Sequence, residues 1–251
     1  MVKKSYKRFW EIDLFRGIAV IMMIIFHILY DLNHFDIYKI NLFSGYFLIY
    51  LYVGASIFIG LVGLSLSLSY SRIKDKLSKK ESLLKYLQRG LMIFGLGILI
   101  TIATRLYLGE GFVVFGALHC IGASIILAYP FLQLRYLNLL FGMFLIFLGV
   151  ILRSFTFDFP WLVWLGFRPS QFYTVDYFPL LPWFGVVIIG IFLGNILYSD
   201  YSRKFQLIDL SQTPIVKFVG FLGRHSLIIY LLHQPILLIL ISVLFGVNIY
   251  I

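Results

Sequence analysis

Four ionisable side chains, Asp13, Arg16, His27 and Asp31, fall in or beside one apolar stretch near the start of the chain. At 3.6 residues per turn, the eleven steps from Arg16 to His27 close about three full turns, so both point the same way. Asp13 and Asp31 lie within about 60° of that direction. The four form one polar stripe, with His27 about 16 Å further along the helix than Arg16. Ionisable groups within a membrane span are costly and mark functional sites. His27 and Asp31 are spaced i, i+4, so the carboxylate is expected to accept a hydrogen bond from the imidazole. That bond would fix the tautomer and leave the other ring nitrogen to take a proton from a hydroxyl or amine. His27 and Asp31 are the catalytic candidates, supported by Asp13.

A second cluster lies near the end of the chain, in Gly223-Arg224-His225-Ser226 followed by Tyr230, His233 and Pro235. Ser226, Tyr230 and His233 share a helix face. Gly223 and Arg224 are expected to open that helix, where a basic residue and free backbone N–H groups suit a phosphate. Pro235 should bend the helix next to His233. His119 and Asp176 are supporting candidates on the outer side, His119 as a partner that His27 could reach. Arg105 and Glu110 sit at the outer mouth, where they could form a simple ion pair. No close-set trio of His, Asp or Glu sits on one helix, so no metal is expected. The single cysteine, Cys120, excludes a disulfide framework.

The elements that must carry these residues follow from composition. Of 251 residues, 61% are hydrophobic and 13% charged, with a mean hydropathy of +0.95. Soluble domains carry about 25% charged residues. Disorder, a nucleic-acid module and a soluble globule are excluded, leaving an all-α polytopic membrane protein. At about 20 residues per span, seven helices are expected, with six to eight as the range. The apolar stretches are Leu14–Tyr30, Leu42–Tyr70, Leu91–Leu106, Phe112–Leu132, Leu137–Leu152, Leu180–Leu197 and Leu227–Phe245. The basic N-terminus resembles a signal peptide, but the long apolar run without a small-residue cleavage site suggests a retained first helix.

The net charge of +10 follows from topology. With the N-terminus in the cytoplasm, the inner segments hold Lys3, Lys4, Lys7 and Arg8; Arg72, Lys74, Lys76, Lys79, Lys80, Lys85 and Arg89; Arg135; and Arg203, Lys204, Lys217 and Arg224. The outer segments hold only Lys39, Arg105, Arg153 and Arg168, as the positive-inside rule requires. One outer segment, Arg153 to Pro179, is rich in aromatic residues and broken by Pro160, Pro169 and Pro179. It reads either as an interfacial aromatic belt or as a lid whose rings stack on sugars.

The stretch Glu11-Ile12-Asp13-Leu14-Phe15-Arg16-Gly17, followed by His27, resembles the opening of the transmembrane acyltransferases. The segments Gly116–Gly122, Asp176–Trp183 and Gly223–Pro235 extend the likeness, in the same order, to the heparan-alpha-glucosaminide N-acetyltransferase catalytic-domain family, in its small prokaryotic branch. The resemblance implies acyl transfer from cytosolic acetyl-CoA, or another acyl-CoA, to an acceptor across the membrane. In the animal lysosomal relative the acceptor is the amine of a terminal glucosamine. It implies that Arg16, Arg89 and Arg224, with Ser226 and His233, hold the acyl-CoA, and that His27 activates the acceptor or carries the acyl group. The chain departs from that relative, which has asparagine where His27 stands and its catalytic histidine further on; His34 is the nearest analogue here.

Taken together, the whole chain is expected to be one transmembrane acyltransferase domain, multi-pass in the cell membrane (plasma or inner membrane). Its expected partners are acyl-CoA, an extracytoplasmic glycan or amino-sugar acceptor, the lipid bilayer and a second copy in a homodimer, without nucleic acid. The rival reading is a transporter or channel for a small polar solute, using the same stripe as a permeation path. A transporter favours broken helices in related positions of two halves, and the sequence has no such repeat.

Overall fold

The computed structural model describes residues 8–247, so Lys3, Lys4 and Lys7 lie outside the described residues. The described residues form eight α-helices, joined by loops and short 3₁₀ turns, with no strand. These are α1 (Trp10–His34), α2 (Gly45–Ile73), α3 (Lys79–Leu108), α4 (Ala117–Leu127), α5 (Leu137–Leu152), α6 (Leu180–Leu197), α7 (Pro214–Arg224) and α8 (Ser226–Phe245). Helices α1, α2, α3, α6 and α8 are long and apolar enough to cross a membrane. The chain is a polytopic helical membrane protein. Helices α4 and α5 are equally apolar in character but shorter, at 11 and 16 residues.

Seven helices fall on the seven expected stretches, and α5 and α6 have the expected ends. The eighth, α7, falls where the sequence suggests only a basic connector. Its 11 residues are too few for a span, but Pro214 in its first turn suits a helix start. Arg224 therefore closes α7 rather than opening the last helix, which begins at Ser226.

The chain divides into two compact units, Met1–Phe58 with Leu207–Ile251, and Ile59–Gln206. In the first, α1 packs on both α7 and α8. Two glycines allow this. A Cβ at Gly17 would collide with the Val219 carbonyl, and one at Gly223 with the Asp13 carbonyl, so the backbones of α1 and α7 touch. In the second unit α3 packs on α4, and α6 packs on α5 and α4. There Ser67 Oγ donates to Asn195 Oδ1 at 2.6 Å, tying the end of α2 to α6. Helix α3 opens on a capping box between Ser78 and Glu81, the pairing that satisfies free N–H groups at a helix start.

The aromatic segment between α5 and α6 is tied together. Phe157 N–H donates to Arg168 O, and Tyr177 Oη–H donates to Val163 O at 2.8 Å. Burial pushes the Tyr177 phenol up to about 12, so it stays a donor. Phe159 stacks on Trp161 at 4.8 Å, and Trp161 is 68% exposed.

Candidate functional site

The polar stripe of α1 has two ends, both within the first unit. At the N-terminal end Asp13 is buried, and three guanidinium groups converge on it. Arg16 Nη1 lies 3.2 Å from Oδ1, Arg8 Nε 3.6 Å from Oδ2 and Arg224 Nη1 4.0 Å from Oδ2. Arg224 reaches Asp13 because Gly223 lets the end of α7 rest on the α1 backbone. Beside them opens a cavity of ≈ 360 Å³ whose lining includes Arg8, Trp10, Asp13, Lys217 and Arg224. Glu11 is also buried in this first turn, so two carboxylates stand among four cations and leave this end net positive, which suits an anion.

At the other end His27 and His233 meet, with ring centroids 4.6 Å apart and planes at 81°. His27 Nδ1 lies 2.8 Å from Met23 O, and His233 Nδ1 2.6 Å from Tyr230 O. A carbonyl only accepts, so each Nδ1 carries the proton and each Nε2 presents a lone pair. The expected bond from His27 to Asp31 does not form. Asp31 Oδ1 instead accepts from Gln234 Nε2 at 2.8 Å, while the Met23 carbonyl, one turn back on α1, takes the imidazole N–H. The His27 tautomer is thus fixed by a partner other than the one expected.

Three buried polar atoms at this end have no hydrogen-bond partner among the described residues: Asp31 Oδ2, Gln234 Oε1 and His233 Nε2. With Nδ1 protonated on His233 and Asp31 ionised, all three are acceptors. Buried acceptors left unmet are costly, so the cluster is suited to a ligand that brings N–H or O–H groups.

Of the expected site residues, Asp13, Arg16 and Arg224 gather at one end, and His27, Asp31 and His233 at the other. His233 lies about two turns into α8, roughly 10 Å by helical rise beyond Ser226, and belongs with His27 rather than with the cationic group. Tyr230 packs its ring against His233 at 5.7 Å, and Ser226 begins α8. Gln234, Arg8 and Lys217 are members that the sequence reading omits. Gln234 was detectable as a polar residue in an apolar span, by the criterion that finds His233.

In the second unit, His119 and Asp176 hold the start of α4. His119 Nδ1 accepts from Gly116 N–H at 3.2 Å, and its Nε2 lies 3.4 Å from Thr101 Oγ1. That hydroxyl donates to Val113 O at 2.7 Å, so it accepts from His119. Asp176 Oδ2 accepts from Ala117 N–H at 3.1 Å. Both ring nitrogens of His119 are thus engaged in holding the turn into α4. Arg105 lies over the Phe112 ring, 5.2 Å from its centroid, rather than pairing with Glu110. Arg89 is exposed on α3. Among the described residues, no group of three or more His, Cys, Asp or Glu could hold a metal ion.

The sequence model of a protein family described as heparan-alpha-glucosaminide N-acetyltransferase, catalytic, matches residues 8–235. The chain belongs to this family. Membership makes it a transmembrane acetyltransferase by kind, and the match runs from Arg8 beside Asp13 to Pro235 just after Gln234. It spans both units and includes every site residue named above. No curated protein and no solved structure matches the chain.

Proposed function

We propose that the chain moves an acetyl or other acyl group from cytosolic acyl-CoA to an amine or hydroxyl of a sugar-like acceptor on the opposite side of the cell membrane. The whole chain acts as one catalytic domain, with its N-terminus in the cytoplasm. The observation that carries this reading is the pair of imidazoles His27 and His233, each with Nδ1–H held by a carbonyl, beside the unmet acceptors of Asp31 and Gln234.

The residues fit the co-substrate. Arg8, Arg16, Lys217 and Arg224 supply cations for its phosphates, and Trp10 offers a ring beside them. Bound acyl-CoA supplies an activated acyl group as a thioester. His27 Nε2 takes the proton from the acceptor nitrogen or oxygen as that atom bonds to the acyl carbon. As the carbon–sulfur bond breaks, the same proton passes to the departing sulfur, leaving His27 neutral. The acceptors of Asp31, Gln234 and His233 orient the N–H or O–H groups of the incoming substrate. A positioned general base of this type contributes about 10²–10⁴-fold.

The test is acetyl transfer from labelled acetyl-CoA to glucosamine-terminated acceptors, alongside calorimetric binding of acetyl-CoA. His27→Ala should abolish transfer and leave acetyl-CoA affinity within about twofold, as expected when only a transition-state interaction is lost. Normal turnover in that variant, or no acetyl-CoA binding by the wild-type chain, rejects the proposal.

A further inference from the structure

Helix α3 carries two unlike stripes. Tyr86, Gly90, Ile93 and Gly97 are buried, and Gly90 and Gly97 meet α4 at Gly122 and His119. About 100° around the helix, Lys85, Arg89, Met92, Leu99 and Leu106 fall in line. Lys85 and Arg89 are exposed, and so are Met92 at 59%, Leu99 at 60% and Leu106 at 83%. In a membrane protein such an apolar stripe lies against acyl chains, so the two cations stand where the chains give way to headgroups.

These cations repel each other, being one turn apart on the same face. Arg72, in the last turn of α2, adds a third. Arg72 and Arg89 both act electrostatically on Lys85, and Arg72 acts on Arg89. No carboxylate pairs with any of the three among the described residues. Of the acidic groups near them, Asp75 acts electrostatically on Lys74, and two more are held elsewhere. Glu81 accepts from Ser78 N and Oγ at 2.8 and 2.7 Å, and Asp200 pairs with Lys74 at 2.9 Å.

We infer that Arg72, Lys85 and Arg89 bind the phosphate of an anionic phospholipid whose acyl chain lies along Met92, Leu99 and Leu106. A nucleotide phosphate has the same charge, but a nucleotide needs a walled polar cleft. A cationic group continuous with an exposed apolar stripe matches a molecule with a charged head and an apolar tail. Arg89, which the family resemblance assigns to acyl-CoA, thus serves the bilayer.

The experiment is native mass spectrometry of the full chain in detergent, with equimolar phosphatidylglycerol and phosphatidylcholine of matched chains. The wild-type chain should retain phosphatidylglycerol preferentially, and the preference should weaken as salt is raised. The triple variant R72Q/K85Q/R89Q should lower the phosphatidylglycerol-to-phosphatidylcholine ratio roughly tenfold, with unchanged elution on size exclusion. The proposal is overturned by a wild-type chain without preference, by a preference insensitive to salt, or by a triple variant that keeps it. A variant that retains the lipid but binds acetyl-CoA more weakly also overturns it, by giving the cations to the nucleotide.

Discussion

His27 on α1 and His233 on α8 stand edge to face, 4.6 Å between ring centroids, each tethered through Nδ1 to a carbonyl of its own helix. The tethers fix both tautomers without using a carboxylate, so two basic nitrogens are held side by side. If the pair works as a unit, its members should not act additively. His27→Ala and His233→Ala should each lower the single-turnover rate of acetyl transfer by about 10²-fold or more. The double variant should be little worse than the poorer single one. Rates that multiply would show two independent roles.

Much of this was legible in the sequence. Periodicity places Asp13, Arg16, His27 and Asp31 on one face because all four lie on the same helix, where spacing determines direction. What spacing cannot supply is competition from outside that face. The i, i+4 relation of His27 and Asp31 allows a hydrogen bond, but the Met23 carbonyl takes the imidazole and Gln234 takes the carboxylate. Gln234 is 203 residues from Asp31, and only tertiary packing brings it there. Helix α7 escapes a search at span length because it is short, with Lys217 and Arg224 breaking its apolar run. His119 and Asp176 look reactive by residue type, yet their work in capping α4 depends on the loop conformation around Gly116.

Asp31 is 2% exposed, and among the described residues its carboxylate accepts one hydrogen bond, from Gln234. Gln234→Leu should leave the carboxylate without any partner and lower stability by about 1–3 kcal/mol. Replacing both sides, Asp31→Leu with Gln234→Leu, removes the stranded group and should recover part of the loss. Thermal unfolding in detergent, followed by reactivity of the buried Cys120, measures both. A double variant less stable than Gln234→Leu would argue against this account.

The close approach of α1 and α7 rests on glycine. Gly223→Ala would drive a methyl group into the Asp13 carbonyl, whereas a Cβ at Gly60 meets only Val186, at an ordinary 3.8 Å. Gly223→Ala should therefore cost about 1–3 kcal/mol as an overpacked contact, and Gly60→Ala almost nothing. Because Arg224 follows directly, the Gly223 variant should also weaken acetyl-CoA binding. Isothermal titration beside thermal melts separates the two effects.

Lys74 and Asp200 form an ion pair at 2.9 Å outside the spanning helices. The hydrogen bond from Lys74 holds the Asp200 carboxyl below its usual 3.8. A carboxyl depressed in the folded state stabilises that state above its unfolded pKa, and the gain is lost as pH falls through the folded value. Asp200→Asn removes the charge and suits the left-handed backbone there, where φ is 53°. The wild-type chain should melt slightly higher than Asp200→Asn near pH 7, and the difference should begin to fade as pH falls below about 4, vanish once pH is below the lowered folded pKa, and shrink in high salt. A difference that persists in acid would mean the pair is not its source.

His119 gives the sharpest contrast with His27, because the two histidines hold opposite tautomers. His119 accepts at Nδ1 from Gly116 N–H and donates from Nε2 to Thr101, so no lone pair is left for a substrate. Its loss strips the start of α4 of a cap, a change that typically costs about 0.5–2 kcal/mol. His119→Ala should thus melt lower while keeping kcat once folded, and His27→Ala should keep its melting temperature while losing transfer. Steady-state kinetics at a temperature well below both transitions decides the matter. A His119→Ala chain that is stable yet inactive would move this residue into the chemistry and reverse the division of roles drawn from the two tautomers.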